Sequence, residues 1–263
     1  MKVSVCGKGG SGKSTIVTLL ADEVRARGYR VLVVDSDESN WGLFRMLGFD
    51  QLPIPLMELV GGKKKVKKKM TRDFSSGESE PAMTVMMQDT IVVDDIPAEY
   101  MRERDNLRLV CIGKILQSLE GCACPMGVLS REFLKKLSLK EDELVIVDME
   151  AGVEHFGRGV ETSIDSVLVV IEPSFESLEL AGRIHGLATG IGIKDVRTIL
   201  NKMPSDEIVV KLAEKLGMRD IDVVGCIHHD PEVFKSSIEG SVLDKGRAAN
   251  EIRDVLDSLL TKN

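Results

Sequence analysis

The chain has 263 residues, of which 43% are hydrophobic and 29% charged, an ordinary globular balance that lets it bury a core without disulfide bonds. Its net charge of −7 argues against a surface that seeks nucleic acid or an anionic membrane. No apolar run approaches the length that crosses a bilayer, and the first residues enter a strand pattern without a signal-peptide core, so we expect a cytoplasmic protein.

Short β-branched runs alternate with amphipathic stretches of helical length along most of the chain. The runs are almost continuously apolar, which is typical of strands buried on both faces. This order predicts an α/β fold, a single domain over residues 1–263 with a doubly wound, mostly parallel sheet of seven to eight strands and helices on both faces. The predicted strands are Val3–Cys6, Val31–Asp35, Leu107–Ile112, Leu144–Asp148, Ser166–Ile171, Val196–Asn201 and Val223–Ile227. The predicted helices are Lys13–Arg27, Val128–Leu137, Ser177–Gly190, Asp206–Leu216 and Lys245–Leu260.

A glycine-rich loop with a lysine and two hydroxyls lies between the first predicted strand and the first predicted helix. Its glycines let several backbone N–H groups point at one anion, and the helix adds the positive end of its dipole. This context predicts a phosphate-binding loop for ATP and Mg²⁺. The alternative is a glycine-rich turn that only caps a helix. The nucleotide-binding candidates in the loop are Gly9, Gly10, Ser11, Gly12, Lys13, Ser14 and Thr15.

Three side chains of this loop have distinct predicted tasks. Lys13 should reach the β- and γ-phosphate oxygens and act in catalysis, and the Ser14 hydroxyl should complete the Mg²⁺ shell. Thr15 is placed to contact the α-phosphate. We therefore predict a Mg²⁺-dependent ATPase.

A second lysine, Lys8, stands at the front edge of the loop and cannot easily fold back onto its own nucleotide. Here the sequence resembles the deviant Walker A ATPases of the Min, Par and nitrogenase iron-protein group. The resemblance implies a homodimer in which Lys8 crosses the interface and touches the partner's phosphates. A cation delivered in this way stabilises the charge of the transition state, as an arginine finger does. The alternative is a solvated loop lysine.

Acidic residues follow two of the predicted strands at the edge where ligands bind in an open parallel sheet. Asp37 is predicted to orient or deprotonate the attacking water, and Asp35 to support the metal shell; either could instead cap the following helix. Asp148 ends a buried strand as a Walker B residue does and would hold Mg²⁺ through water. Gly152 comes shortly afterwards and would let the backbone close on a γ-phosphate.

Asn201 and Lys202, at the end of a later predicted strand, are further candidates for nucleotide binding. An asparagine amide offers a donor and an acceptor that match the N6/N7 edge of adenine, and no aspartate follows in the pattern that reads guanine. In the resembling group this position binds the base; the alternative is a turn asparagine. His228 occupies a place where that group usually has proline.

Residues 61–105 interrupt the alternation and are predicted to be an insertion. Six lysines within Lys63–Lys69 are expected to form a mobile basic loop, followed by a small antiparallel excursion. The lysines are either solvated or dock onto an acidic partner.

A Cys-x-Cys pair, Cys122 and Cys124, precedes a predicted helix. Two thiolates fill two coordination positions of a soft ion, and two copies of the loop at a dimer axis would supply four, enough for Zn²⁺ or Ni²⁺. Pro125 is expected to hold Cys124 extended. The alternatives are free surface thiols or a structural zinc site. Three further cysteines lie on predicted core strands and are expected to be buried: Cys6, Cys111 and Cys226.

With this pair, the chain closely resembles the nickel-insertion accessory ATPases of carbon monoxide dehydrogenase, the CooC family. The resemblance implies an ATP-driven metallochaperone that helps load nickel into the active-site cluster of that enzyme, with Cys122 and Cys124 as the metal ligands. The matching residues are Lys8–Thr15, Leu56–Glu58, Gly61–Lys64, Gly113–Ile115, Gly121–Pro125, Asp148–His155 and Gly157–Gly159.

A second function, from another class, is a Min- or Par-type positioning or partitioning ATPase. The sequence disfavours it because the tail from Glu251 to Asn263 is acidic in its middle, unlike the basic amphipathic helix that targets Min-type proteins to membranes. An iron–sulfur reductase is disfavoured too. The nitrogenase iron protein carries a cluster cysteine shortly after its Walker B region, whereas this sequence has His155 and no cysteine in that stretch.

Overall fold

The computed structural model describes residues 1–75, 85–115, 123–244 and 246–261, with the backbone alone for residues 71–75. The strands are β1 (Lys2–Gly7), β2 (Arg30–Asp35), β3 (Ile91–Val92), β4 (Met101–Arg104), β5 (Leu107–Cys111), β6 (Leu137–Ser138), β7 (Glu143–Asp148), β8 (Ser166–Ile171), β9 (Asp195–Met203) and β10 (Val223–His228). The α-helices are α1 (Lys13–Ala26), α2 (Leu43–Met46), α3 (Leu56–Leu59), α4 (Lys63–Ser75), α5 (Cys124–Lys136), α6 (Glu154–Gly157), α7 (Phe175–Gly190), α8 (Asp206–Gly217), α9 (Pro231–Glu239) and α10 (Ala248–Leu260).

Eight of these strands form one sheet in the order β10-β9-β8-β1-β7-β2-β5-β4, and β3 pairs with β6 apart from it. Neighbouring strands of the large sheet run parallel, except that β4 pairs antiparallel with β5. The predicted α/β fold with a mostly parallel sheet is confirmed, and each of the seven predicted strands is present. The carboxyl ends of β1, β2, β7 and β8 meet at one edge of the sheet, which we call the phosphate edge.

Alternate residues of the central strands enter two separate cores, one on each face of the sheet. In β2, Val31 and Val33 belong to one core and Leu32 and Val34 to the other. Helices α1 and α10 cover the first face, and α4, α5, α7 and α8 cover the second. Each buried aliphatic side chain contributes roughly 1.5–3 kcal/mol of transfer free energy, so the central strands are fixed from both sides.

The helices among the described residues include none with the length and apolar character that a membrane span requires.

The lysine-rich segment is helical, so the prediction of a mobile basic loop within residues 61–105 was wrong. Helix α4 spans Lys63–Ser75, with Val66 almost fully buried and Met70 packed against the core beneath it. The segment holds no glycine or proline, lysine has a good helix propensity, and two apolar residues four apart give the helix a face to bury. The predicted antiparallel excursion is present as β4, which pairs with β5.

The helix after the cysteine pair begins four residues earlier than predicted. Cys124 is the first residue of α5, and Pro125 occupies its first turn. The expectation that Pro125 holds Cys124 extended was therefore wrong. Proline is tolerated at this position because the first N–H groups of a helix have no partner within it. Cys122 lies outside the described residues.

Candidate functional site: the phosphate edge of the sheet

The loop between β1 and α1 takes a shape that needs glycine at two positions. At Gly7 the φ angle is +147°, and a Cβ atom would lie 2.5 Å from the carbonyl oxygen of Val170. Gly12 caps α1 in the left-handed conformation, with φ +92°. The loop is closed by the Ser11 N–H, which donates to the Lys8 carbonyl at 3.1 Å. The loop leads directly into the N-terminus of α1, where an anion is favoured.

Lys13 and Ser14 open α1 directly below this loop. Lys13 is almost fully buried, and its Nζ lies 3.5 Å from the Lys8 carbonyl, a long contact that a phosphate oxygen can replace. The Ser14 hydroxyl donates to Oδ2 of Asp148 at 2.6 Å. Thr15 follows in the same turn and is half-buried. The structure thus brings Lys13, the predicted phosphate contact, and Ser14, the predicted metal contact, to the end of β7.

Asp148 fits the predicted Mg²⁺ site. Its side chain is completely buried, and its Oδ1 has no hydrogen-bond partner among the described residues. Burial raises the pKa of Asp148 to about 6, although the hydrogen bond from Ser14 opposes the shift. A buried carboxylate oxygen without a partner, beside a hydroxyl, is the donor set that a hard cation prefers. Ser14 and Asp148 are accordingly the residues that would hold Mg²⁺.

Asn40 is a site residue that the sequence analysis missed. Its Nδ2 donates to the Ser14 hydroxyl at 2.7 Å and to Oδ2 of Asp148 at 3.2 Å, and its Oδ1 accepts from the Gly42 N–H at 2.8 Å. The residue lies between β2 and α2, in a stretch of ordinary polar residues. No spacing rule marks it, because its role arises from contact with residues far along the chain.

Asp35 pairs with a lysine of the chain, and its predicted support of the metal shell stays a prediction. It lies in register with Asp148 on the neighbouring strand, and its Oδ2 is 2.7 Å from Nζ of Lys114. Burial raises the pKa of Asp35 to about 7, and the Lys114 cation opposes that shift. Lys114 also donates to the carbonyls of Asp37 and Asn40. The ion pair therefore ties β2 to the segment after it, and this geometry gives Asp35 a positioning part.

Asp37 caps a turn beside this pair. Its Oδ1 accepts hydrogen bonds from the N–H of Ser39 at 2.9 Å and from the Ser39 hydroxyl at 2.6 Å. The alternative of a helix cap is not realised, because Gly42 is the N-cap residue of α2 and no side-chain hydrogen bond caps that helix. The side chain is almost fully buried and close enough to Asp148 to raise that carboxyl's pKa. Its predicted part in orienting the attacking water stays a prediction.

Lys8 points away from the interior of its own loop. Its Nζ lies 3.1 Å from Oε1 of Glu172 and 3.0 Å from Oε2 of Glu176, at the junction of β8 and α7. The hydrogen bonds that Lys8 donates to Glu176 and Glu172 raise the pKa of Lys8. The side chain is a third exposed, so it can leave these partners at small cost. Its predicted reach into a partner subunit stays a prediction.

Asn201 and Lys202 contact the phosphate loop from β9. The register with β10 shifts between Leu200 and Met203, and Lys202 has φ +58°, the features of a bulge that redirects side chains. The Asn201 amide donates to the Ser11 carbonyl at 2.8 Å, and Nζ of Lys202 donates to the carbonyl of Gly10. Both residues therefore support the loop, and adenine recognition by Asn201 stays a prediction.

His228, which stands at the end of β10, is held by charged neighbours. Its Nδ1 lies 2.8 Å from Glu251 and 3.0 Å from Arg247, and its Nε2 lies 3.0 Å from Asp206. This network fixes the ring at the place where the resembling group usually has proline.

The segment after β7 is tied to the phosphate loop and to the segment after β2. The Gly152 N–H donates to the Gly7 carbonyl at 3.3 Å, and Gly152 has φ +95°. Arg158 pairs with Glu150. Burial raises the pKa of Glu150 to about 7, reinforced by the nearby Glu38 carboxyl. Two acidic groups from different loops thus meet beside the site.

The described cysteines fall into two environments. Cys6 and Cys111 are fully buried, as predicted, and burial raises the pKa of both thiols, that of Cys111 to about 12. Such thiols are poor ligands because a metal binds the thiolate. Cys226 is only partly buried, although it packs against the core as predicted. Cys124 is also partly exposed, at the start of α5.

Comparison with known sequences places these features in a wider set. The chain matches the family described as the CobQ/CobB/MinD/ParA nucleotide binding domain over residues 3–243. It is 44% identical to an uncharacterised ATP-binding protein of Methanocaldococcus jannaschii, with 100% of both chains covered. It is 34% identical to the carbon monoxide dehydrogenase accessory protein CooC of Rhodospirillum rubrum, covering 89% of this chain and 85% of that protein.

Comparison with solved structures gives the same fold. The cell division ATPase MinD of Pyrococcus furiosus superposes with a TM-score of 0.68, covering 98% of this chain and 97% of that one. The two sequences are 18% identical, so this likeness concerns the fold alone.

Proposed function

We propose that this chain, a P-loop ATPase that belongs to the CobQ/CobB/MinD/ParA nucleotide-binding family, works as a dimeric metallochaperone. Its client would be carbon monoxide dehydrogenase, and its task the ATP-driven insertion of nickel into that enzyme's active-site cluster. The observation that carries the proposal is the 34% identity to the carbon monoxide dehydrogenase accessory protein, which extends over 89% of the chain. A likeness confined to the phosphate loop would carry no such weight.

The phosphate edge supplies the residues for hydrolysis. Lys13 would neutralise the β- and γ-phosphate oxygens, and Ser14 and Asp148 would hold the cation between them. Bound Mg²⁺ would draw charge from the phosphate oxygens as the terminal bond breaks. Asp37 would orient the attacking water, and Lys8 would leave its two glutamates to reach the partner's nucleotide.

The cysteine pair would supply the cargo site. One chain offers two sulfurs, from Cys122 and Cys124, whereas a closed site for a soft divalent ion takes four ligands. A two-fold dimer would supply the missing pair. Cys124 lies at the N-terminus of α5, where the helix dipole favours a thiolate over a thiol. Metal binding would release protons and weaken as the pH falls.

The direct experiment is activation of nickel-free carbon monoxide dehydrogenase. The enzyme would be incubated with limiting Ni²⁺, ATP and this protein, and carbon monoxide oxidation followed over time. We expect activation by the wild type and none above background by Lys13→Ala or Cys124→Ser. Equal activation by the wild type and both variants would reject the proposal.

A positioning or partitioning ATPase is the second candidate. The fold of the cell division ATPase MinD and the exposed lysines of α4 favour it. The discriminating observation is ATP-dependent retention on anionic vesicles or on DNA, which the metallochaperone proposal does not predict.

A further inference from the structure

A buried group of three polar side chains lies beneath the segment that follows β7. Cys6, His155 and Glu161 each expose 1% or less of their surface, and their potential ligand atoms lie within 4.8 Å of one another. The roles assigned so far in ATP hydrolysis and in the proposed cysteine site use none of the three. Polar groups this deep need a reason, because burying them costs free energy unless they are paired.

The hydrogen bonds of His155 favour a positioning role over a metal site. Its Nδ1 bonds to Oε1 of Glu161, and its Nε2 lies 3.2 Å from the Gly152 carbonyl. Both ring nitrogens are thus engaged within the chain. The Cys6 thiol contacts the Ser4 hydroxyl at 3.2 Å, and burial raises its pKa far above neutrality.

Gly152 is consequently held on both sides. Its carbonyl lies against His155, and its N–H donates to the Gly7 carbonyl of the phosphate loop at 3.3 Å. A γ-phosphate that takes this N–H must break the bond to Gly7. The direction in which the released Gly152 N–H then points depends on the contact between the Gly152 carbonyl and His155, because a glycine at φ +95° has few other restraints.

The residues after His155 lie against α5. Glu161 belongs to a short 3₁₀ helix, Val160–Ser163, that packs on α5. The aliphatic part of the Arg158 side chain packs against Gly127 of α5. A Cβ atom on residue 127 would lie 2.5 Å from the Arg158 Cδ. Arg131 of α5 donates to the Arg158 carbonyl at 3.3 Å. A continuous set of contacts therefore runs from Gly152 to the helix that begins at Cys124.

We propose that His155, held by Glu161, is the positioning residue that orients Gly152 for hydrolysis and transmits the nucleotide state through Arg158 to α5 and Cys124. The hydrolytic half rests on the ATPase alone. The transmission to Cys124 deepens the proposed metallochaperone function and rests on that function for its biological purpose. Its measurement does not depend on metal delivery.

The test compares His155→Ala with His155→Gln, whose amide can donate where the imidazole Nε2 does. The matched control is His185→Ala, on the middle of α7. One readout is steady-state hydrolysis together with the affinity for a non-hydrolysable ATP analogue. The other is the rate at which iodoacetamide alkylates Cys124, measured by mass spectrometry with and without the analogue and assigned to Cys124 by fragment ions.

We expect His155→Ala to lower kcat about 10-fold, the typical loss when one positioning interaction is removed, with analogue affinity changed by less than about 2-fold. The analogue should change the Cys124 alkylation rate in the wild type and in His185→Ala, and this effect should vanish in His155→Ala. His155→Gln should recover at least part of both.

Three results would overturn the proposal. The first is wild-type kcat in His155→Ala. The second is a nucleotide effect on Cys124 that is absent from the wild type or survives in His155→Ala. The third is a His155→Gln variant as inactive as His155→Ala when both unfold at the wild-type temperature. Neither readout involves nickel or zinc, so failure of the metallochaperone experiment would leave this outcome standing, and the reverse also holds.

Discussion

The phosphate edge and α5, the helix that begins at Cys124 and is called here the cysteine helix, differ in how many ligand-binding groups one chain supplies. At the phosphate edge, residues from β1, α1, β7 and β9 converge, and Ser14, Asn40 and Asp148 already touch one another. At the start of α5, one partly exposed thiol, that of Cys124, stands at the helix N-terminus. The phosphate edge gathers from one chain groups that a nucleotide requires, whereas the described start of the cysteine helix supplies one thiol of the four ligands that the proposed metal site would need.

The difference has a physical origin in burial. The carboxyl ends of parallel strands bring buried polar groups together by register, as Asp35 and Asp148 show on adjacent strands. The described start of α5 lies outside the sheet and is not held by a strand register of this kind. The proposed metal site would gain its remaining ligands from a second copy or a client, and its geometry would depend on association. The predictions below test that contrast.

The largest effect is expected from the ion pair that braces the phosphate edge. Lys114→Met should lower the free energy of unfolding by about 3–5 kcal/mol, because it leaves the Asp35 carboxylate buried without its cation. The loss should depend on pH. Without Lys114 the pKa of Asp35 rises above its value of about 7. At low pH the buried carboxyl of the variant is neutral and needs no cation. The free energy of unfolding of the variant therefore falls as the pH rises through that raised pKa.

Urea unfolding at about pH 6 and about pH 8.5 measures this difference. The matched control is Lys140→Met, which removes a half-exposed lysine paired with Asp94. A deficit that is equal at both pH values, or no larger than the control's, would contradict the account of Asp35.

The next effect concerns catalysis within one chain. Lys13→Ala should reduce ATP hydrolysis on the order of 10²-fold or more and weaken ATP binding, because the lysine neutralises the phosphates in the ground and transition states. Steady-state hydrolysis and equilibrium nucleotide binding measure the two losses. Lys215→Ala, an exposed lysine of α8, is the matched control. Hydrolysis at the wild-type rate in Lys13→Ala would refute the assignment.

A smaller loss of hydrolysis is expected from Lys8, the residue of the phosphate edge that is predicted to act in a second chain. Lys8→Ala should lower hydrolysis about 10- to 100-fold, because it removes a cation from the transition state, while each chain still binds nucleotide. Sedimentation with an ATP analogue should show weaker dimers. If the wild type is diluted to monomers and its rate per chain stays constant, the trans role of Lys8 is wrong.

The smallest effect is expected from the exposed lysines of α4. Lys64→Glu with Lys68→Glu should change the free energy of unfolding by less than about 0.5 kcal/mol, because both side chains are solvent-exposed. Hydrolysis should be unaltered. The same pair should weaken binding to an acidic client if α4 docks onto one, and that weakening should disappear at high salt. The paired substitutions Lys211→Glu and Lys215→Glu, on exposed positions of α8, give the control.

The sequence predicted the strands and the phosphate loop because both are local signals. The seven predicted strands are short apolar runs, and the loop is a fixed spacing of glycines, lysine and serine. The basic helix α4 was mistaken for a loop because its lysines outweighed the spacing of Val66 and Met70. Helix α9 was overlooked although Asp230 and Pro231 form a typical helix start, an aspartate cap followed by proline.

Contacts between distant residues account for what the sequence could not predict. Asn40 meets Ser14 and Asp148, and Lys114 meets Asp35, across separations that no motif encodes. Asn201 lay where expected, but the bulge in β9 turns it onto the phosphate loop. The burial of His155 with Glu161 likewise depends on the fold of the segment after β7.

The measurement that tests the central claim most directly is the metal content per dimer. Purified protein would be equilibrated with Zn²⁺ or Ni²⁺, with and without an ATP analogue, and its metal content and mass determined together by native mass spectrometry. We predict one ion per dimer for the wild type, none for Cys122→Ser or Cys124→Ser, and an affinity that nucleotide alters. One ion per chain, or unchanged binding in both serine variants, would contradict a site shared between two chains.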